Sequence, residues 1–164
     1  MIIKDVAIRR IIDSRGNPTV EADIKTSKGF GRAAAPAGAS TGTHEVVAWP
    51  DGKVSKGMEF AERKVIPKLL GLPTDNQNEF DRLLKEIDGT ENFSVMGGNV
   101  SVAFSLACAK AAANSKGINL FEHISKKKSY SIPAPMSNVL GGGAHAVGGT
   151  DIQEYLVTAF DEDI

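Results

Sequence analysis

Two glycine-rich stretches and one strand end carry the side chains best suited to chemistry. Gly38-Ala39-Ser40-Thr41-Gly42 places two hydroxyls in a run of small residues. Such a loop lets backbone approach a ligand closely and can swing on glycine hinges. On local pattern alone, a plain surface loop is the more economical reading. Gly141-Gly142-Gly143-Ala144-His145-Ala146 sets an imidazole among glycines, where it can reach solvent or a ligand. Gln153 and Glu154 follow at the start of a predicted strand. Successive strand residues point to opposite faces, so only one of the two projects squarely into a site the strand lines. Taken singly, His145 also reads as a surface histidine and Glu154 as a solvated strand-end charge.

Other chemistries are excluded by spacing. The glycine run at 141–146 fits a relaxed dinucleotide pattern, but that fingerprint needs a helix to open at its third glycine and hold the pyrophosphate. Val147-Gly148-Gly149-Thr150 follows instead, with no helical period. There is no G-x-x-x-x-G-K-[ST] phosphate loop, no G-x-S-x-G elbow and no Cys/His cluster with zinc spacing. Cys108 lies among alanines and reads as a small buried hydrophobe, and a lone cysteine indicates a reducing compartment. His44 shares the long loop with Ser40, and His123 reads as structural.

The elements that must position these residues are legible from periodicity. Asp5–Ile12, Thr19–Thr26 and Phe30–Ala35 read as a three-stranded antiparallel meander, with Val20, Ala22 and Ile24 on one face of the middle strand and Glu21, Asp23 and Lys25 on the other. Asp13-Ser14-Arg15-Gly16-Asn17-Pro18 supplies the first turn. Met58, Ala61, Val65 and Leu69 recur at helical spacing, with Pro67 expected to end or kink that helix. Thr74-x-x-Gln77 is a capping-box candidate for a helix whose apolar face is Phe80, Leu83, Leu84 and Ile87 and which ends at Gly89. Asn99–Lys116 is apolar or small all round, as in a buried helix, and closes at Gly117. Leu120–Ile124 is a short helix. Strands first and helices after them predict an α+β fold. Ile132–Leu140 and Ile152–Phe160 read as two further strands, beyond a polar boundary at Ser125–Ser131.

The 164 residues carry 19 Lys+Arg against 20 Asp+Glu, a net charge of −1 with 41% hydrophobic content. That balance gives no electrostatic reason to expect a nucleic-acid partner. No apolar run approaches the roughly 18 residues a membrane span needs, and the start MIIKDVAIRR reads as having no signal-peptide core. A cytoplasmic location is the expectation.

In order and nearly without gaps from Ile3 to Val157, the sequence resembles the enolase family. The anchors are DSRGNPTVE (Asp13–Glu21), GASTG (Gly38–Gly42), IDGT (Ile87–Thr90), GGNVSVAFSLACAKAAA, PAPMSNVLGGGAHA and DIQEY (Asp151–Tyr155). Six anchors at compatible spacing are far more specific than any one. The resemblance implies an α+β capping domain of β3α4 type over residues 1–131, with residues 132–164 forming the first two strands of an incomplete β/α barrel. It implies that the loop holding Gly38, Ala39 and Ser40 closes over the substrate, with Ser40 as a ligand of the second Mg²⁺. It further implies that His145 approaches the substrate on closure, that Gln153 lies beside the substrate and metal, and that Glu154 acts near the leaving hydroxyl, so that Glu154 and His145 are catalytic. Arg9, Arg15 and Glu21 match positions that meet a partner subunit across a two-fold interface, implying a homo-oligomer in the full-length form.

The implied reaction is Mg²⁺-dependent dehydration of 2-phosphoglycerate to phosphoenolpyruvate, in which Mg²⁺ stabilises an ene-diolate formed by a Lys or His base. That base, the second acid/base glutamate and the ligands of the first Mg²⁺ come from later barrel strands and match nothing in these residues. A β/α barrel takes about 250 residues. The expectation is therefore an enolase portion inactive by itself, the alternative being a non-catalytic enolase-like binding or assembly module.

Overall fold

The computed structural model describes residues 1–36, 42–125, 127, 129–143, 146 and 148–158. The chain divides into two compact units, the larger built on residues 1–37 and 43–126, the smaller on residues from 127 onward.

The larger unit opens with an antiparallel sheet in the order β1 (Ile3–Ile12), β2 (Pro18–Thr26), β3 (Phe30–Ala34). Register pairs Val6 with Ile24, Ile8 with Ala22 and Arg9 with Glu21, then Asp23 with Arg32. The alternation of β2 places Val20, Ala22 and Ile24 wholly in the core, as its period of two predicts. Asp23 lies on the other face but is only 8% exposed, which its polar alternation did not foretell.

A helical run follows as α1 (Val54–Phe60), a π-helical turn over Ala61–Val65 and α2 (Ile66–Leu69). The Ile66 N–H bonds to the Ala61 carbonyl, five residues back. Widening the turn just before Pro67, which has no N–H to give, carries the helix past the ring for two more residues. Leu70 is then extended. Helix α3 (Gln77–Asp88) buries Phe80 and Leu84 and ends at Gly89, whose left-handed φ of 74° closes the last turn. Its N-cap is Asn76, whose side chain accepts from the Glu79 N–H, and not Thr74. Thr74 is fully buried and its N–H bonds to the Met1 carbonyl at 2.8 Å, so it is committed to holding β1's approach.

Helix α4 (Gly98–Lys116) packs across β2 and β3. Its small residues explain the closeness of that contact. A Cβ on Gly31 of β3 would lie 2.0 Å from the Ala107 carbonyl and 2.3 Å from the Ala111 nitrogen. Ala103, Phe104, Ala107, Cys108 and Ala111 thereby join the core beneath the sheet. The short α5 (Leu120–Ser125) packs on α4.

The smaller unit is an antiparallel pair, β4 (Met136–Gly141) with β5 (Glu154–Thr158). Both strands start later than alternation alone suggests. Pro133 and Pro135 lack ladder donors, and the carbonyls of Thr150 and Gln153 are already bonded to Gly143 and Gly142. Val139, Leu156 and Val157 are all exposed in this unit. No helix among the described residues is long and apolar enough to cross a membrane.

Candidate functional site

Three groups of residues bear on the expected site. The first is the turn after β1. One carboxylate oxygen of Asp13 accepts from the N–H groups of Arg15 (2.9 Å) and Asn17 (2.8 Å), and the Gly16 N–H bonds back to the Asp13 carbonyl at 3.1 Å. Gly16 has a φ of 82°, which a side chain would resist. The bond from Asn17, ahead of the others, holds the Asp13 carboxyl below the usual aspartate range. Asp13, Ser14, Arg15 and Thr19 line a cleft of about 410 Å³ whose floor includes Ala34 to Pro36, where the chain leaves β3. That exit is held by the Thr19 hydroxyl donating to the Ala35 carbonyl (2.7 Å) and by the Ala35 N–H donating to Val20 (3.0 Å). Gly38, Ala39 and Ser40 lie outside the described residues.

The second group is on the outer face of the sheet. Arg9 donates to Glu21 (2.9 Å) and Asp23 (2.8 Å), and Arg32 donates twice to Asp23, at 2.7 and 2.8 Å. Hydrogen bonding from Arg32, then from Arg9, outweighs burial and holds the Asp23 carboxyl below its ordinary value. Both guanidiniums are correspondingly raised, chiefly by Asp23. Sequence reasoning singled out Arg9 and Glu21 but missed Asp23 and Arg32. The signal was the register itself, since acids two apart on β2 meet arginines on both flanking strands.

The third group is the glycine stretch of the smaller unit. The Gly142 N–H bonds to the Gln153 carbonyl (2.8 Å) and the Gly143 N–H to that of Thr150 (2.7 Å), while Gly141 pairs with Glu154. A Cβ on Gly142 would stand 2.3 Å from the Ile152 carbonyl and 2.4 Å from that of Thr150. Gly143 has a φ of 56° with Gln153 Cα 3.3 Å from where its Cβ would be. The glycines therefore serve close backbone approach, folding the stretch onto Thr150–Gln153 and bringing it to Gln153 and Glu154. Both of these side chains are exposed. His145 lies outside the described residues.

Among the described residues there is no group of three or more His, Cys, Asp or Glu side chains able to hold a metal ion. Glu21 and Asp23 both meet the same two arginines, which engage Glu21 Oε1 and both oxygens of Asp23.

A family model described as "Enolase, N-terminal domain" matches residues 3–124. The enolase of Methanosphaera stadtmanae is 51% identical over 157 residues, a match covering 95% of this chain and 38% of that protein. That of Thermoplasma acidophilum is 50% identical over 157 residues, covering 96% of the chain and 39% of the relative. That of Pyrococcus furiosus is 45% identical over 168 residues, covering 98% and 39%. The chain thus spans under two fifths of the length of these relatives. With the meander, the helices and the family match all falling on the same residues, the chain belongs to the enolase family and carries its N-terminal domain.

Proposed function

We propose that this chain contributes the loop half of an enolase site, which removes water from 2-phosphoglycerate to give phosphoenolpyruvate. The observation that carries the reading is the match at about half identity along nearly the whole chain, with the Ser40, His145, Gln153 and Glu154 anchors in order. The bonding of Gly142 to the Gln153 carbonyl and of Gly143 to that of Thr150 adds support, because it lays the glycine stretch against the backbone of the Gln153 anchor.

In this reading Gly38–Ser40 cover the substrate and exclude water, His145 approaches with them, and Gln153 orients the substrate. Glu154 gives a proton to the departing hydroxyl. Mg²⁺, when bound, takes up the charge that builds on the substrate carboxylate. Of the positions matched to the family's Mg²⁺ ligands, this chain supplies the Ser40 hydroxyl, and Mg²⁺ is held chiefly through carboxylates. The carboxylates, and the base that takes the α-proton, must come from polypeptide beyond these residues. The protein works in the cytoplasm, and its full-length form is a homo-oligomer with Arg9, Arg15 and Glu21 facing the partner.

The test pairs the purified chain with a separately produced polypeptide covering the remaining length of the Methanosphaera stadtmanae relative. With Mg²⁺ and 2-phosphoglycerate, the enol absorbance of the product should rise only in the mixture, and Ser40→Ala or Glu154→Gln should abolish it. Robust turnover by the chain alone, or none from a mixture shown to co-elute, overturns the reading. Co-elution without turnover is the outcome expected of a non-catalytic assembly module, a role compatible with the exposed Val139, Leu156 and Val157.

A further inference from the structure

Asp88, the last residue of α3, is 5% exposed, and no cation pairs with it among the described residues. Its carboxylate is satisfied entirely by donors from the loop that follows. Oδ1 accepts from the Thr90 N–H (3.1 Å) and the Thr90 hydroxyl. Oδ2 accepts from the N–H groups of Val95 (3.2 Å) and Met96 (2.6 Å). Thr90 in turn accepts from the Ser94 N–H at 2.9 Å. One side chain thus pins both ends of the Thr90–Met96 loop. The loop needs such a constraint, because Phe93 sits at a φ of 56°, which non-glycine residues avoid.

The pinned loop and the start of α4 form a seat. The Asn92 carbonyl accepts from the Val47 N–H (2.8 Å), and the Phe93 carbonyl from the Gly97 N–H (2.8 Å). The Gly98 N–H then bonds to the Val47 carbonyl (2.7 Å) and the Asn99 N–H to that of Ala48 (3.4 Å). The seated segment lies directly on glycine backbone. A Cβ on Gly97 would be 2.7 Å from the Ala48 carbonyl, and one on Gly98 would be 2.5 Å from Val46 Cγ2. Val46–Ala48 is also where the chain returns from the stretch that carries Ser40.

We propose that Asp88 is the positioning residue for Val46–Ala48, because its carboxylate sets the seat on which that segment lies. That role stands on contacts within this unit and is independent of the enolase reading above. A carboxylate that added only to global stability would protect the whole unit evenly. One that sets the seat acts there first.

Asp88→Asn keeps the shape but turns one oxygen into an NH₂ that cannot accept, so either the Thr90 pair or the Val95–Met96 pair loses its partner. Site-resolved amide hydrogen exchange on the chain alone should show Val47 and Gly98 exchanging about tenfold faster or more, with Val20, Ala22 and Ile24 unchanged. Thr90→Val removes only the hydroxyl and should give a smaller acceleration at the same amides; it carries the comparison if Asp88→Asn does not fold. No change at Val47 and Gly98, or equal acceleration throughout β2, overturns the proposal. Exchange needs neither substrate nor turnover, so failure of the enolase reading would appear only in the paired-polypeptide assay.

Discussion

Asp23 on β2 faces Arg32 on β3 in register and takes both of its hydrogen bonds, at 2.7 and 2.8 Å, while lying 8% exposed beneath that guanidinium and the one from Arg9. A carboxylate so enclosed helps the fold only while ionised. Its folded pKa lies below the ordinary value, so its stabilisation is complete above the unfolded aspartate pKa of about 3.9 and drains as pH falls through the lower folded value. Asp23→Asn should lower unfolding free energy by about 1–3 kcal/mol at neutral pH. Urea titrations of both proteins between neutral pH and acid should converge as the wild-type carboxylate protonates. A constant gap across that range would show that the charge is not what matters.

Much of this architecture could be read from the residues, for reasons the structure makes plain. Where one physical rule governed, as in the alternation of Val20, Ala22 and Ile24 or the glycines ending α3 and α4, the pattern and the fold coincide. The misses are places where two rules compete. Thr74 has the right spacing for a cap, but burial against Met1 claims it and Asn76 caps instead. Asp23 alternates as a solvent residue, yet its arginine neighbours come from other strands and are invisible without the register. The roles of Ser40 and His145 came from resemblance alone, because small-residue loops carry no local signature of what they bind.

The approach of β3 to α4 predicts an unequal response to alanine among glycines. Gly31→Ala places a Cβ against the Ala107 and Ala111 backbone, which cannot swing aside, and should cost about 3 kcal/mol or more. Gly16→Ala meets nothing within 4 Å and pays only for its φ of 82°, about 1–2 kcal/mol. Urea midpoints of the two variants measure the difference, and equal midpoints would mean that α4 can move away from the sheet.

Cys108 should be chemically silent in the native state. It is wholly buried, and desolvation, ahead of the charges of Asp81 and Asp75, pushes its thiol up to about 12. The thiolate needed for disulfide exchange is then scarce at neutral pH as well as inaccessible. Reaction with an aromatic disulfide reagent should track global unfolding as urea is added. Prompt labelling in buffer would reveal an opening of α4 short of unfolding.

Gly142 tests whether the folding of the glycine stretch onto Gln153 matters to the site. A Cβ there would stand 2.3 and 2.4 Å from two carbonyls and 2.5 Å from the Thr150 hydroxyl, so alanine must push the stretch off the Thr150–Gln153 segment and break its bonds to both. Gly141→Ala is the control, because its nearest neighbour is a side-chain nitrogen of Asn138 at 3.6 Å, ordinary contact. Amide exchange at residues 142 and 143 should quicken about tenfold in Gly142→Ala and stay unchanged in Gly141→Ala. In the paired-polypeptide assay, Gly142→Ala should lower kcat by up to about 100-fold, the order expected when catalytic groups shift by about 1 Å. Faster exchange with full turnover would separate the fold of this stretch from the placement of Gln153 and Glu154 and overturn its link to the site.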